Sequence, residues 1–305
     1  MLRYLLGRLV SALVTLLVVS LVVFVVARLS GDPVRLMLPV EASNEEVTRV
    51  RQQLGFDRPL PVQYLEFVTR AARGDLGMSL RYQQPALGII LARLPATAAL
   101  ATAAMAIALL IAIPAGILAA AGRGGVVDAV ARGLSLIGQA LPAYWLGIML
   151  IIVFAVSLRW LPAAGAGSPA HLVLPAITLG LWPTARISRV LRASLLEALN
   201  GDYVRTARAK GVAESRVVLQ HALGNALLPA ITVVGLSFGI VFGGAIITET
   251  VFAWPGVGRL LLDAVSQRDY PLVQAIVLTF AVVFLIINLG VDLLYGALDP
   301  RVRLS

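Results

Sequence analysis

Side chains able to do covalent chemistry are scarce in this sequence, and their spacing argues against catalysis. Gly235-Leu236-Ser237-Phe238-Gly239 has the pattern of a serine-hydrolase nucleophile elbow. That device needs a strand-to-helix turn, a histidine and an acid. Here the pattern sits inside a long apolar run, and the two histidines, His171 and His221, fall on opposite membrane sides in the topology the arginines dictate. Without a general base near Ser237, an intramembrane hydrolase is set aside. The same stretch reads better as Gly235-x-x-x-Gly239-x-x-x-Gly243, a small-residue stripe that lets helices approach closely. It is free to face a partner, a solute path or the chain's own helices.

Two histidines so far apart make no metal site, and the absence of cysteine removes thiol nucleophiles, disulfides and thiolate-bound metals together. The single lysine, Lys210, precedes Gly211, so no G-x-x-x-x-G-K-[ST] phosphate loop exists. No catalytic residue, metal or cofactor is expected in this chain, and any ATP that drives it must be hydrolysed elsewhere. Among the acids, Asp292 lies within an apolar run with Asn288 one turn before it. Polar groups in a membrane need partners or a function, and Asp292 has either Arg301 and Arg303 to pair with or a solute or gating role. Glu249 stands at the outer end of another run, placed to meet a solute amine or an outer partner.

These residues must be positioned by membrane helices. Hydrophobic residues make up 59% of the 305 residues and charged residues 13%, where a soluble chain carries nearer a quarter. Six runs reach the length of about 20 residues that a bilayer needs. They are approximately Leu9–Leu29, Thr97–Ala121, Leu134–Val156, Leu172–Val190, Leu227–Thr248 and Leu272–Leu294. The first is too apolar for too long to be a signal peptide and reads as a retained anchor. Arg3, Arg8, Arg123, Arg132, Arg186, Arg189, Arg192, Arg205, Arg208, Lys210, Arg216, Arg301 and Arg303 all fall on one side if both termini are cytoplasmic. Arg186, Arg189 and Arg192 recur at a helix end and read as snorkelling topology signals. The net charge of +9 forms no single block, which argues against nucleic acid. The expected class is an all-α membrane protein of about six transmembrane helices, with both termini cytoplasmic. A small extracytoplasmic helical subdomain stands between the first two spans. Its expected helices are Asn44–Leu54, capped by Ser43 or Asn44, and Pro61–Ala72.

The longest inner loop, 193–226, carries the strongest signal. Asn200-Gly201-Asp202 ends one helix, and Asp202 is placed to cap a new one. Tyr203–Lys210 then makes about two turns, with Gly211 as a left-handed stop. So short a helix is marginal in water and needs something to dock on. Ala207 and Ala209 are small enough for a groove, with Tyr203 as a flat anchor.

Tyr203-Val204-Arg205-Thr206-Ala207-Arg208-Ala209-Lys210-Gly211, followed by Leu228-Pro229, resembles the cytoplasmic signature of permease subunits of dipeptide/oligopeptide/nickel/glutathione-type ABC importers. Arg205 stands where the general pattern has glutamate, a departure usual in that branch. Further matches are Gly31-Asp32-Pro33, Gln53-Leu54-Gly55-Phe56-Asp57-Arg58-Pro59, Gly74-Asp75-Leu76-Gly77, Glu249–Gly258, Arg268-Asp269-Tyr270-Pro271 and Asp299-Pro300-Arg301. The resemblance implies a type I importer permease in a bacterial inner membrane. Its partners would be a homologous second permease, two ABC ATPase subunits that bind ATP and Mg2+, and an extracytoplasmic solute-binding protein. It also implies that Asp202, Tyr203, Arg205, Thr206, Ala207, Lys210 and Gly211 couple the chain to an ATPase, Arg205 and Lys210 by pairing with its acids. Gly235, Ser237, Gly239, Gly243, Glu249, Asn288 and Asp292 are the candidates for the path or for helix packing. The chain divides into an N-terminal helix (1–30), the extracytoplasmic subdomain (31–95), the importer core (96–298) and a tail (299–305). The competing class is an ion-gradient-driven secondary transporter. Such folds show internal repeats and mid-membrane ionisable sites, and this chain has no evident repeat and almost no mid-span charge.

Overall fold

A computed structural model describes residues 2–29, 34, 43–53 and 55–298. The Gly31-Asp32-Pro33 motif, Leu54, the tail from Asp299, and with it Arg301 and Arg303 as partners for Asp292, lie outside the described residues. The elements are α1 (Leu2–Leu29), α2 (Asn44–Gln53), α3 (Leu60–Ala72), α4 (Ala86–Ala121), α5 (Val126–Ala140) and α6 (Ala143–Ser157). They continue with α7 (Ala170–Leu199), α8 (Asp202–Ala209), α9 (Glu214–Val251), α10 (Val257–Ser266) and α11 (Tyr270–Leu298). Outside the helices, the one β feature among the described residues is an isolated bridge between Met78 and Pro85.

Four of these helices are long and apolar enough to cross a membrane: α1, α4, α9 and α11. The third expected run is a bent pair, α5 and α6 meeting at 103°. The break falls at Leu141-Pro142, where the proline disfavours helical geometry in the residue before it. Counted as one span, the pair makes five. The fourth expected run is the N-terminal part of α7, a 30-residue helix with Pro175 and Pro183 inside it. That part of α7 is not among the four, and Arg186, Arg189 and Arg192 follow on its later turns. Both α4 and α7 continue well beyond the apolar runs that the sequence marks.

The chain forms two compact units, one running to Pro95 and including Arg259–Leu285, the other running from Ala96 to Gly258 and resuming at Ile286. In the first unit, Phe24 of α1 packs edge-on against Tyr64 and beside Phe67 of α3. Ser20 and Tyr64 share a hydroxyl hydrogen bond of 2.8 Å. Ser43 caps α2, its Oγ accepting from the Glu46 N–H at 3.2 Å. Asp269, buried, accepts from Ser79 Oγ at 2.5 Å and from the amides of Leu80, Arg81 and Leu272 at 3.1–3.2 Å. That carboxylate therefore fixes the loop before α4 against the start of α11.

In the second unit, alanines govern how closely helices pack. Ala101, Ala104, Ala108 and Ala112 recur at three- and four-residue spacing on α4 and are fully buried. Gly180 of α7 faces them so closely that a Cβ there would stand 2.6 Å from the Ala104 carbonyl oxygen. With no hydrophobic drive between helices in lipid, such small faces supply contact area instead. α7 also lies along α9 and against α5.

Candidate functional site

Position 201 begins the site. Gly201 is the residue before α8, and a Cβ on it would stand 2.6 Å from the Tyr203 ring, so the ring lies back over the glycine. Asp202 is the first helical residue and not the cap: no side chain caps α8, and the Asp202 carboxylate is out in water, 3.5 Å from Arg205. An acid in the first turn still favours the helix through its dipole. Thr206 returns its hydroxyl to the Asp202 carbonyl at 3.0 Å. The helix ends as the glycine predicts. Gly211 has φ +75°, and the amides of Lys210, Gly211 and Val212 close onto Thr206, Arg208 and Ala207 carbonyls.

What holds so short a helix is its own chain. Val204 and Ala207, one turn apart, are buried in a cluster with Ala120 of α4, Leu191 and Leu195 of α7, and Val217, Val218, Ala222, Ala226 and Ala230 of α9. Burying Val204 contributes roughly 1.5–3 kcal/mol, enough to fix two turns that water alone would not support. Ala207 thus fills an internal groove, while Ala209 is exposed. Arg208 reaches forward to Glu214 with two hydrogen bonds of 3.0 and 2.6 Å. That fork raises the Arg208 pKa and lowers that of Glu214. Both side chains are substantially exposed, so the pair fixes the 210–213 turn more than it adds stability.

The consequence is a two-sided element. Its inner face, Val204 and Ala207, belongs to the protein. Its outer face presents Tyr203 (44% exposed), Arg205, Thr206 and Lys210 to solvent. This is a cationic edge with one aromatic ring, carried on a rigid mount.

The remaining candidates do not join it. Glu249 is completely buried near the end of α9. Thr97 of α4 donates to its Oε1 at 2.6 Å and accepts from the Val257 amide at 2.8 Å. Gly256 and Gly258 pack directly on the carboxyl group, and Trp254 Nε1 donates to the Ala96 carbonyl at 2.9 Å. Glu249 therefore ties the 252–258 turn to α4, and in this structure it has no surface for a solute amine. Ser237 is buried in mid-helix with no hydrogen-bond partner for its Oγ among the described residues, far from the strained turn a nucleophile needs. Gly235 abuts Val291 of α11, Gly239 is buried and Gly243 is exposed. The stripe thus serves intrachain packing at one end and is open at the other. Asn288 and Asp292 are half-buried on α11. No group of three or more potential metal ligands occurs among the described residues.

Sequence reasoning missed Asp128, Thr97 and the anchoring role of Val204. Asp128 takes a bidentate pair from Arg192 at 2.6 and 2.8 Å and the Gly124 amide at 3.1 Å, fastening the α4–α5 turn to α7. Its one signal was an acid just after Gly124-Gly125 among apolar residues.

Comparison with known proteins sets these features in a lineage. The family described as binding-protein-dependent transport system inner membrane component matches residues 112–304, and its N-terminal counterpart matches residues 1–101. The chain is 45% identical over 304 residues to the glutathione transport system permease protein GsiC of Escherichia coli O6:H1, covering 99% of each. It is 46% identical, with the same coverage, to GsiC of Pectobacterium atrosepticum. In structure it is similar to a chain of the MetNI methionine ABC transporter in inward-facing form, with a TM-score of 0.61 at 17% identity over 69% of this chain and 96% of that one. A chain of an amino acid ABC transporter solved with histidines matches with a TM-score of 0.55 at 15% identity, over 69% and 94%.

Proposed function

The chain belongs to the family of binding-protein-dependent transport inner membrane components and is the transmembrane permease of an ATP-driven importer in the bacterial inner membrane; from that premise we propose that α8 is its coupling helix. In this reading Tyr203, Arg205, Thr206 and Lys210 form the surface that an ATPase subunit grips, and Val204 and Ala207 transmit the movement to α4, α7 and α9. Asp202 starts the helix and Gly211 turns the chain away. The observation that carries the reading is the two-sided burial of α8: polar and aromatic groups in water, aliphatic groups in the core. A lever needs both a free grip and a stiff attachment.

We further propose six spans with both termini in the cytoplasm, the bent α5–α6 pair and the first part of α7 completing the set. The 31–95 segment would be extracytoplasmic and 193–226 the cytoplasmic coupling loop. ATP and Mg2+ would bind to two partner ATPases, with a homologous second permease and a solute-binding protein completing the complex. The solute is proposed to be glutathione or a short peptide of similar size. The 45% identity to glutathione permeases over the whole chain supports this, and the scarcity of charge in the spans fits a pore that selects loosely.

The test is reconstitution in liposomes with the partner subunits. Uptake of glutathione or short peptides should require ATP, the ATPases and the binding protein. Uptake by this chain alone, driven by a proton or sodium gradient, would overturn the coupling scheme.

A further inference from the structure

The arginines on α7 lead to a feature that coupling does not explain. Between α4, α5 and α7 lies a cavity of about 290 Å3. Its polar lining is Arg132 and Ser135 of α5 with Ser188, Arg189 and Arg192 of α7, and Ala119 and Leu136 contribute to an apolar wall. The two serine hydroxyls face each other at 3.3 Å.

Charge at this cavity does not balance. Asp128 is the acid in contact: it holds Arg192 in a bidentate pair and Arg132 at 3.5 Å. Arg189, exposed at the cavity, has no acid within ion-pair distance among the described residues. Three guanidinium groups therefore meet one carboxylate, an excess of two positive charges beside a hydroxyl pair. Guanidinium forks and hydroxyls at such spacing suit a phosphate-type oxyanion, which accepts from several planar donors at once. The apolar wall adds what free phosphate would not use.

We propose that this cavity holds the phosphodiester headgroup of an anionic phospholipid, with Arg189 and Arg132 on the phosphate and the acyl chains leaving along Ala119 and Leu136. Basic pockets between membrane helices recognise lipids by this combination of charge and apolar surface. A lipid seated there bridges α5 to α7 alongside the Asp128–Arg192 pair. The assignment does not depend on the coupling role of α8.

The experiment uses the assembled importer in nanodiscs of phosphatidylcholine, titrated with phosphatidylglycerol and read by native mass spectrometry for retained lipid. Arg189→Gln removes the cation that has no acid partner without touching the buried ion pair. Arg186→Gln is the control, because Arg186 stacks over the Trp182 ring away from this cavity and carries the same charge. The expected result is that Arg189→Gln weakens phosphatidylglycerol retention about five- to tenfold and Arg186→Gln leaves it unchanged. Equal weakening by both variants would reduce the effect to general surface charge and overturn the site. So would wild-type protein that retains no phosphatidylglycerol. Displacement of the lipid by millimolar inorganic phosphate would reassign the cavity to a free oxyanion and overturn the lipid.

Discussion

Two stretches of the second unit, α8 with its stop at Gly211 and the turn from Glu249 to Gly258, both stand out in the sequence and share a vocabulary of acids, aromatics and glycines. The structure uses that vocabulary in opposite ways. In α8 every charge is in water and two aliphatic side chains are buried. In the Glu249–Gly258 turn the acid is buried along with Phe252, Trp254 and Val257, clasped by Thr97 and pressed by Gly256 and Gly258. A carboxyl group out of water is costly unless hydrogen-bonded, so the turn is a fastening. Charges left solvated on a docked helix cost nothing to present, so α8 suits a surface for another protein. Exposure, and not residue type, separates the interface from the scaffold.

That contrast sets the order of mutational effects. Gly256→Val drives a side chain into the Glu249 carboxyl group, and no folded protein should be recovered by fluorescence-detected size exclusion. Folded, transport-active Gly256→Val would break the fastening account. Asp128→Ala strands Arg192 in a partly buried site and should lower the melting temperature of the purified complex by roughly 10 °C. Val204→Ala, which empties part of the α8 mount, should cost about 2 kcal/mol, a fall of roughly 5 °C. It should also uncouple transport in part, because the lever loosens while its grip remains. Tyr203→Ala sits at the other extreme. Its melting temperature should stay within about 1 °C of wild type, while ATP-driven uptake falls severely. A Tyr203→Ala protein that melts early would show that the ring is scaffold and blur the comparison.

The apolar runs made the long helices legible, and Gly211, read as the stop of α8, placed its end within one residue of Ala209. The end of α7 was legible at Asn200-Gly201-Asp202, but its continuity with the fourth apolar run was not, because Arg186, Arg189 and Arg192 look like the end of a span when they decorate a helix that goes on. Tyr203 could be nominated for a contact surface from its place on a short helix, and Arg205 and Lys210 from the family resemblance. The inner side of α8 could not, since the groove that takes Ala207 is assembled from α4, α7 and α9. Glu249 failed for the same reason at longer range: its partner Thr97 lies 152 residues away, and an isolated acid at the end of a run gives no sign of it. Pro142 coincides with the α5–α6 bend, but Pro114, Pro175 and Pro183, which invite the same expectation of a bend, lie within the continuous helices α4 and α7, so a proline alone does not locate a break.

The central claim is that the outer face of α8 is gripped by an ATPase from the cytoplasm, and the chain's lack of cysteine makes it directly testable. Tyr203→Cys introduces a unique thiol on that face. The thiol should react with a membrane-impermeant maleimide only from the cytoplasmic side, become protected when the ATPase subunits assemble, and cross-link to one of them. Labelling from the outer side, or equal labelling with and without the ATPases, would contradict the account.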